Sequence, residues 1–197
     1  MGKTNKVGVI QWSSIIATLS TTVLAVTALI TVYLTVVAWR IEQNTARPYF
    51  IIVGSPKITL DKEINIELKL NNVGIHPAVN LSSETVVFDE ELIGKPIHHD
   101  ESAIVDEIPK GASAGLLMMI PSFYINPNVL NIGGHYVVVD LQYSDPILNR
   151  IYGQSMYLKW NGVQNGKVQP TEHVRVEEKG KILDYFQKQD INLKVRE

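Results

Sequence analysis

Five histidines, twenty carboxylates and no cysteine make up the reactive side chains of this 197-residue chain. The missing cysteine excludes thiol catalysis, Cys-ligated zinc, iron–sulfur clusters and disulfide scaffolds together. One segment gathers several potential metal ligands: His98-His99-Asp100-Glu101. Imidazole and carboxylate suit zinc or a similar divalent ion. Neighbouring residues of a strand point to opposite faces, so both histidines could serve one ion only from a loop. His76, His135 and His173 stand apart from this group. A solvated polar loop is the simpler reading of the segment, and neither a metal nor a cofactor is expected.

Between Glu84 and Glu107 lie eight carboxylates (Glu84, Asp89, Glu90, Glu91, Asp100, Glu101, Asp106, Glu107) and a single Lys95. Their spacing matches no EF-hand loop. A solvated, partner-facing surface accounts for the surplus. Asp89 and Glu91 could work as an acid–base pair, but nothing in the sequence places them in a pocket. No phosphate-binding glycine loop, G-x-S-x-G elbow or H-E-x-x-H zinc motif occurs. The expectation is a protein that is not an enzyme. A formal charge of −2 argues against a general nucleic-acid binder.

The run Leu116-Leu117-Met118-Met119-Ile120, followed by Ser122-Phe123-Tyr124-Ile125, is richer in apolar residues than a half-exposed strand needs. A strand buried on both faces explains it most simply. The sharper alternative is an adaptable partner surface built on Met118, Met119, Phe123 and Tyr124.

The element that must position everything else is at the N-terminus. Residues 15–39 contain no charge, and twelve of the 25 are Ile, Leu or Val. As a helix they span roughly 37 Å against a hydrocarbon core of about 30 Å. Trp12, Tyr33 and Trp39 sit near the ends, where interfacial aromatics belong. The run is too long for a cleaved signal peptide, and no small-residue cleavage site follows, so a signal anchor is expected. Lys3, Lys6 and the α-amine nearly balance Arg40, Arg47 and Lys57, so basic groups assign no side of the membrane. Within the span, Thr27, Thr31 and Thr35 form one stripe; Ala17, Thr21, Ala25 and Ala28 form a second. Small residues let helices approach, which suits self-association or pairing with another membrane protein. The simpler reading has each hydroxyl bonded to its own helix.

Past a polar neck at 40–47, Pro48 ends helical geometry. Strands are expected at 49–53, 64–70, 79–88, 103–108, 116–120, 135–143 and 152–160. The clearest is Ile64-Asn65-Ile66-Glu67-Leu68-Lys69-Leu70, a strict alternation with one buried face. Seven short strands with Gly/Pro/Asn punctuation imply a mainly β fold, an immunoglobulin-like antiparallel sandwich. The division is thus an N-terminal tail (1–14), a transmembrane helix (15–39), a neck (40–47), a sandwich (48–160) and a C-terminal tail (161–197). In that tail, 177–189 reads as a helix weakened by Gly180, packed on the sandwich, ordered only with a partner, or part of a partly mobile tail.

Certain residues stand at the joints of this layout: Arg47-Pro48-Tyr49 after the neck, Asn72-x-Gly74-x-x-Pro77-Ala78-x-Asn80 after the alternating strand, then Tyr143-x-Asp145 and Tyr152. With them the chain resembles a loose group of small prokaryotic single-pass membrane-anchored β-sandwich proteins, mostly of uncharacterised function. The resemblance implies fold and anchoring and carries no catalytic residue. Each residue also has a turn role: Asn72 bonding nearby backbone, Gly74 taking positive φ, Pro77 leaving the ladder, Asp145-Pro146 starting a turn. The expected partners are the lipid bilayer and a protein, and the expected role is a membrane-anchored interaction module, an accessory subunit of a membrane complex. A ligand- or metal-binding membrane sensor ranks second, and a membrane-tethered hydrolase third.

Overall fold

A computed structural model describes residues 6–104 and 106–193, with residues 6–14 in backbone only. Lys3 therefore lies outside the described residues, as do the side chains of Lys6 and Trp12. The chain divides after Thr45 into a helical unit and a β-rich unit.

The helical unit is built from α1, Lys6–Ala46, one continuous helix whose last residue already belongs to the β-rich unit. It takes in most of the neck and the end of the N-terminal tail. Polar residues such as Arg40, Glu42 and Gln43 sustain a helix as well as apolar ones do, so the loss of hydrophobicity at residue 40 does not end it. From Ile15 onward it is long and apolar enough to cross a bilayer. Leu19, Leu24 and Leu29 are each more than three-fifths exposed.

The β-rich unit is a mainly β, sandwich-like arrangement of antiparallel sheets. Its strands are β1 (Phe50–Ile52), β2 (Lys57–Leu60), β3 (Ile64–Asn72), β4 (Val79–Asp89), β5 (His98–Ile104), β6 (Ser113–Ile120), β7 (His135–Asp145), β8 (Arg150–Trp160), β9 (Val163–Gln164), β10 (Lys167–Val168) and β11 (Thr171–His173). The first sheet centres on β3. Strands β1 and β2 pair in succession along one side of it and β6 along the other, so this sheet is three strands wide. The second sheet is five strands wide, in the order β11-β8-β7-β4-β5. Strands β9 and β10 form a small hairpin.

Against an expectation of seven strands, the described residues form eleven. The strict alternation of β3 is reproduced in its burial: Ile64, Ile66, Leu68 and Leu70 are buried and Glu67 and Lys69 exposed. The expected strand at 103–108 lies instead at His98–Ile104. The sandwich also extends past residue 160, because β11 pairs with the end of β8.

Two cores result. The larger fills the space between the sheets, around Phe50, Tyr143 and Trp160. The smaller lies on the outer face of the five-stranded sheet. There Val86, Phe88, Tyr136 and Val138 are covered by Ile182, Tyr185 and Phe186 of α2 (Val176–Lys188). Phe88 stacks on Tyr185 with ring centroids 4.9 Å apart and meets Phe186 edge-on at 5.5 Å. The C-terminal helix is thus a packed element, starting at Arg175, whose N–H donates to the Glu178 carboxylate at 3.0 Å. Glu178 also accepts bonds from the Tyr136 hydroxyl and the Lys159 ammonium, each at 3.1 Å. Its carboxyl is held below the usual range, chiefly by the backbone bond from Arg175. Nothing in the packing requires Gly180, since a side chain there would meet open space, and the helix carries glycine's ordinary cost of about 1 kcal/mol.

Candidate functional site

The histidine segment forms a strand. In β5, His98 stands opposite Val87 and His99 opposite Val86. Val87 belongs to the core between the sheets and Val86 to the core under α2, so the two histidines face opposite sides of the sheet. His99 Nε2 lies 2.8 Å from Glu84 Oε1. His98 leans inward with its Nε2 buried and unpartnered, and this burial lowers its pKa against the pull of Asp100. Among the described residues no three His, Asp or Glu side chains converge to hold a metal ion. The condition for a shared site, a loop carrying both rings, is not met. Among the described residues the buried acids are Glu84, Asp140 and Asp145; Glu84 and Asp140 stand opposite each other in the β4–β7 ladder, with the Ser155 hydroxyl donating to Asp140 at 2.6 Å. The sequence singled out neither as buried. Only strand pairing, between residues 56 positions apart, puts them side by side.

The residues of the resemblance converge on the start of the sandwich. The Ala46 carbonyl accepts bonds from the Ile75 and His76 amides at 3.1 and 2.8 Å. Asn72 is fully buried. Its Oδ1 accepts from Tyr49 N–H (3.2 Å) and Gly74 N–H (3.0 Å), while its Nδ2 donates to the His76 and Ile108 carbonyls at 2.9 and 3.1 Å. The Tyr143 hydroxyl donates to the Pro48 carbonyl at 3.1 Å. Burial pushes that hydroxyl's pKa up to about 12, against the opposing pull of Arg47. The Gln154 amide clasps Phe50 at both its N–H and its C=O. Asp145 bonds His76 Nδ1 at 2.7 Å and accepts the Ile147 and Leu148 amides, as its turn role requires. The Arg47 guanidinium lies 5.5 Å from the centre of the Tyr152 ring. Gly74 is needed for a different reason than expected. It does not have positive φ; instead a Cβ there would overlap the Arg47 carbonyl oxygen and press on Pro48 and Tyr49 backbone. Apart from the buried Tyr152 hydroxyl, which has no partner, the groups of this polar knot satisfy one another, and its chemistry is fastening.

The side of the sandwich formed by β5 and β6 is finished differently. Strand β6 alternates exposed and buried residues from Ser113 to Ile120. The expectation of two-sided burial therefore fails: β6 is a margin strand, paired with β3 alone among the described residues. Met118 is a core residue, 1% exposed, and is withdrawn from the candidate surface. Met119 is 53% exposed, and Leu117, which joins it on the outer face, 54%. Phe123 and Tyr124, in the turn after Pro121, are also exposed, with ring centroids 4.2 Å apart. Between the sheets at this margin lies a slot of about 170 Å³ lined by Leu70, Leu81, Leu116 and Leu141, with Ser83 and Ser102 as its polar part. The two serine hydroxyls are 2.7 Å apart.

On α1 the threonine hydroxyls are used internally. Thr21 donates to the Ala17 carbonyl, Thr27 to Val23, Thr31 to Thr27 and Thr35 to Thr31, all at 2.8–2.9 Å. The stripes through Ala17, Thr21, Ala25 and Ala28 and through Thr27, Thr31 and Thr35 thus present small surfaces whose donors are already engaged.

No family model and no curated protein matches the chain. Solved structures resemble it only distantly. A protein described as ApaA from Bordetella pertussis aligns with 61% of this chain and 97% of its own length, at 10% identity and a TM-score of 0.44. β-Glucosidase 3B of Thermotoga neapolitana, solved with glucose, aligns with 55% of this chain at 15% identity and a TM-score of 0.33. DesR, a β-glucosidase of Streptomyces venezuelae, aligns with 64% at 9% identity and a TM-score of 0.30. The chain spans 16% and 15% of the lengths of these two glucosidases.

Proposed function

We propose that the chain is a single-pass, membrane-anchored interaction module whose sandwich docks a protein partner as an accessory subunit of a membrane complex. In this reading α1 is an uncleaved signal anchor, and its small-residue stripes offer a surface for helix pairing in the bilayer. The observation that carries the reading is β6. It has an unpaired margin, an outer face bearing Leu117 and Met119, and a position within a stretch, residues 111–139, that has no charged side chain. Soluble domains guard such margins with charge, proline or a covering element. Here the strand has none of these within its length.

The test is purification from native membranes in mild detergent. The expected result is one protein recovered at fixed stoichiometry, and its loss from the double variant Met119→Lys/Phe123→Ser with the melting curve unchanged. Recovery of the wild-type chain as a lone monomer would overturn the proposal.

A further inference from the structure

The two sheets differ in width by two strands, and on the β6 side the mismatch falls at β5. The inner face of β5 carries Asp100, Ser102 and Ile104, which stand opposite Thr85, Ser83 and Leu81 of β4. Asp100 and Ser102 are exposed and Ile104 is only half-buried. No strand of the first sheet covers them, because that sheet stops at β6. The result is a shelf (β5), an unpaired strand margin (β6) beside it, and the leucine-lined slot opening between them. What is missing is the width of one strand.

We infer that this place receives a single extended segment of the partner, which pairs with β6 and lies over β5. This rests on the interaction-module reading and specifies its partner. The unpaired N–H and C=O groups of a margin strand select another strand. The slot selects an apolar side chain of leucine or phenylalanine size, since a cavity of about 150 Å³ holds a benzene ring. The charge pattern selects basic residues. From Pro96 to Pro109 the chain carries Asp100, Glu101, Asp106 and Glu107 and no lysine or arginine, and all four acids are exposed. Side chains two apart on a strand share a face at about 7 Å spacing. A residue seated in the slot beside Ser102 thus places its second neighbour over Asp100. The segment's inner face reads apolar, then basic two residues away, and its outer face is apolar, to extend Leu117 and Met119.

A second copy of this chain does not fit the place. Pairing β6 with its own copy would bring two projecting β5 strands, each bearing Asp100 and Glu101, into the same volume. A lone strand has no second layer to collide.

The test uses the full chain in nanodiscs and a labelled eight-residue peptide with valine at its outer positions and alternating leucine and lysine at its inner ones. Anisotropy should show saturable binding. Affinity should fall about tenfold or more when the amides facing β6 are N-methylated with every side chain kept, the size of losing one or two good hydrogen bonds. Replacing lysine by glutamate should weaken it at least as much, and Ser102→Phe, which fills the slot, should abolish it. Equal binding of the N-methylated peptide, or no binding of the parent, would overturn the inference. The broader reading is separated by the native-membrane purification. A complex that survives Ser102→Phe docks elsewhere on the module, while a wild-type chain with no complex fails the module reading itself.

Discussion

The start of the sandwich and its β5–β6 side are both places where the fold could have been left open, and they are finished in opposite ways. At the start, Asn72 alone joins four backbone groups, and Tyr143, Gln154 and Ala46 tie down the rest of Ala46–Phe50. At the side, a strand margin lies unpaired next to an unfilled slot and an exposed shelf. Buried polar groups are costly to leave unpaired, so at the closed end the Ala46 and Pro48 carbonyls, the Tyr49 and Phe50 backbone and the Asn72 amide are bonded, with the Tyr152 hydroxyl and the Asn71 Oδ1 left over. Backbone groups at a solvated margin bond water, so an open side is tolerated. The difference teaches where to look for stability and where for recognition.

The contrast can be broken most sharply at Asn72. Asn72→Ala strands two carbonyls and two amides and is expected to cost about 4 kcal/mol, measured by urea unfolding of the β-rich unit. A cost under about 1 kcal/mol would show the knot to be dispensable. Gly74→Ala comes next, at about 3 kcal/mol, because its neighbours at 2.6–2.8 Å are backbone atoms of Pro48 and Tyr49 that cannot turn aside.

The knot should also announce itself in alkali. Unfolded tyrosine gives up its proton near pH 10, whereas folded Tyr143 keeps it to about 12. Between these values the unfolded state binds fewer protons, so stability falls as pH rises, by at most about 1.4 kcal/mol per pH unit. Tyr143→Phe should reduce that slope to the share of Tyr136 and Tyr185, whose pKa values burial also raises, while lowering stability by about 1 kcal/mol at neutral pH. A slope unchanged in the variant would assign it to another group. The upper part of the acid limb belongs to the histidines His98 and His135, and Glu178 adds to the limb from the ordinary carboxylate range downward. Burial lowers the pKa of His135, whose Nδ1 lies 2.9 Å from the Gly133 carbonyl. Its unfolded form therefore binds more protons below about pH 6.5, and stability should decline as pH falls through that range. His135→Gln should flatten the decline.

The smallest effect is expected on the open side. Met119→Lys and Leu117→Glu should each change stability by no more than about 0.5 kcal/mol, since both side chains already face solvent. A larger loss would mean that this face is covered within the chain and would end its candidacy for a partner.

How legible each region was in the sequence follows from how far burial depends on distant residues. The alternation of β3 could be read directly because it has one buried and one wet face. Strand β6 has the same geometry, yet its wet face carries Leu117 and Met119, so composition suggested burial on both sides. The strands truly covered on both faces are β4 and β7, and their outer cover is α2, a segment whose packing the sequence left open. The sequence of β5 reads partly as a loop because a margin strand with little burial has no apolar period to show. Asn72, Gly74 and Asp145 are visible in the sequence as turn residues, while Gln154 carries no signal there; the convergence is not visible, because Tyr143 and Gln154 reach the neck only through long-range pairing.

By itself the sequence determined what local chemistry determines: a helix apolar enough to cross a bilayer, a β-rich remainder, and no thiol, phosphate-loop or zinc motif. Only the tertiary structure decided which faces are wet, which of two adjacent methionines is core, and which margin is left unpaired. Those outcomes depend on what lies across a sheet from each residue, and strand order, unlike hydrophobic period, is written nowhere in the local pattern.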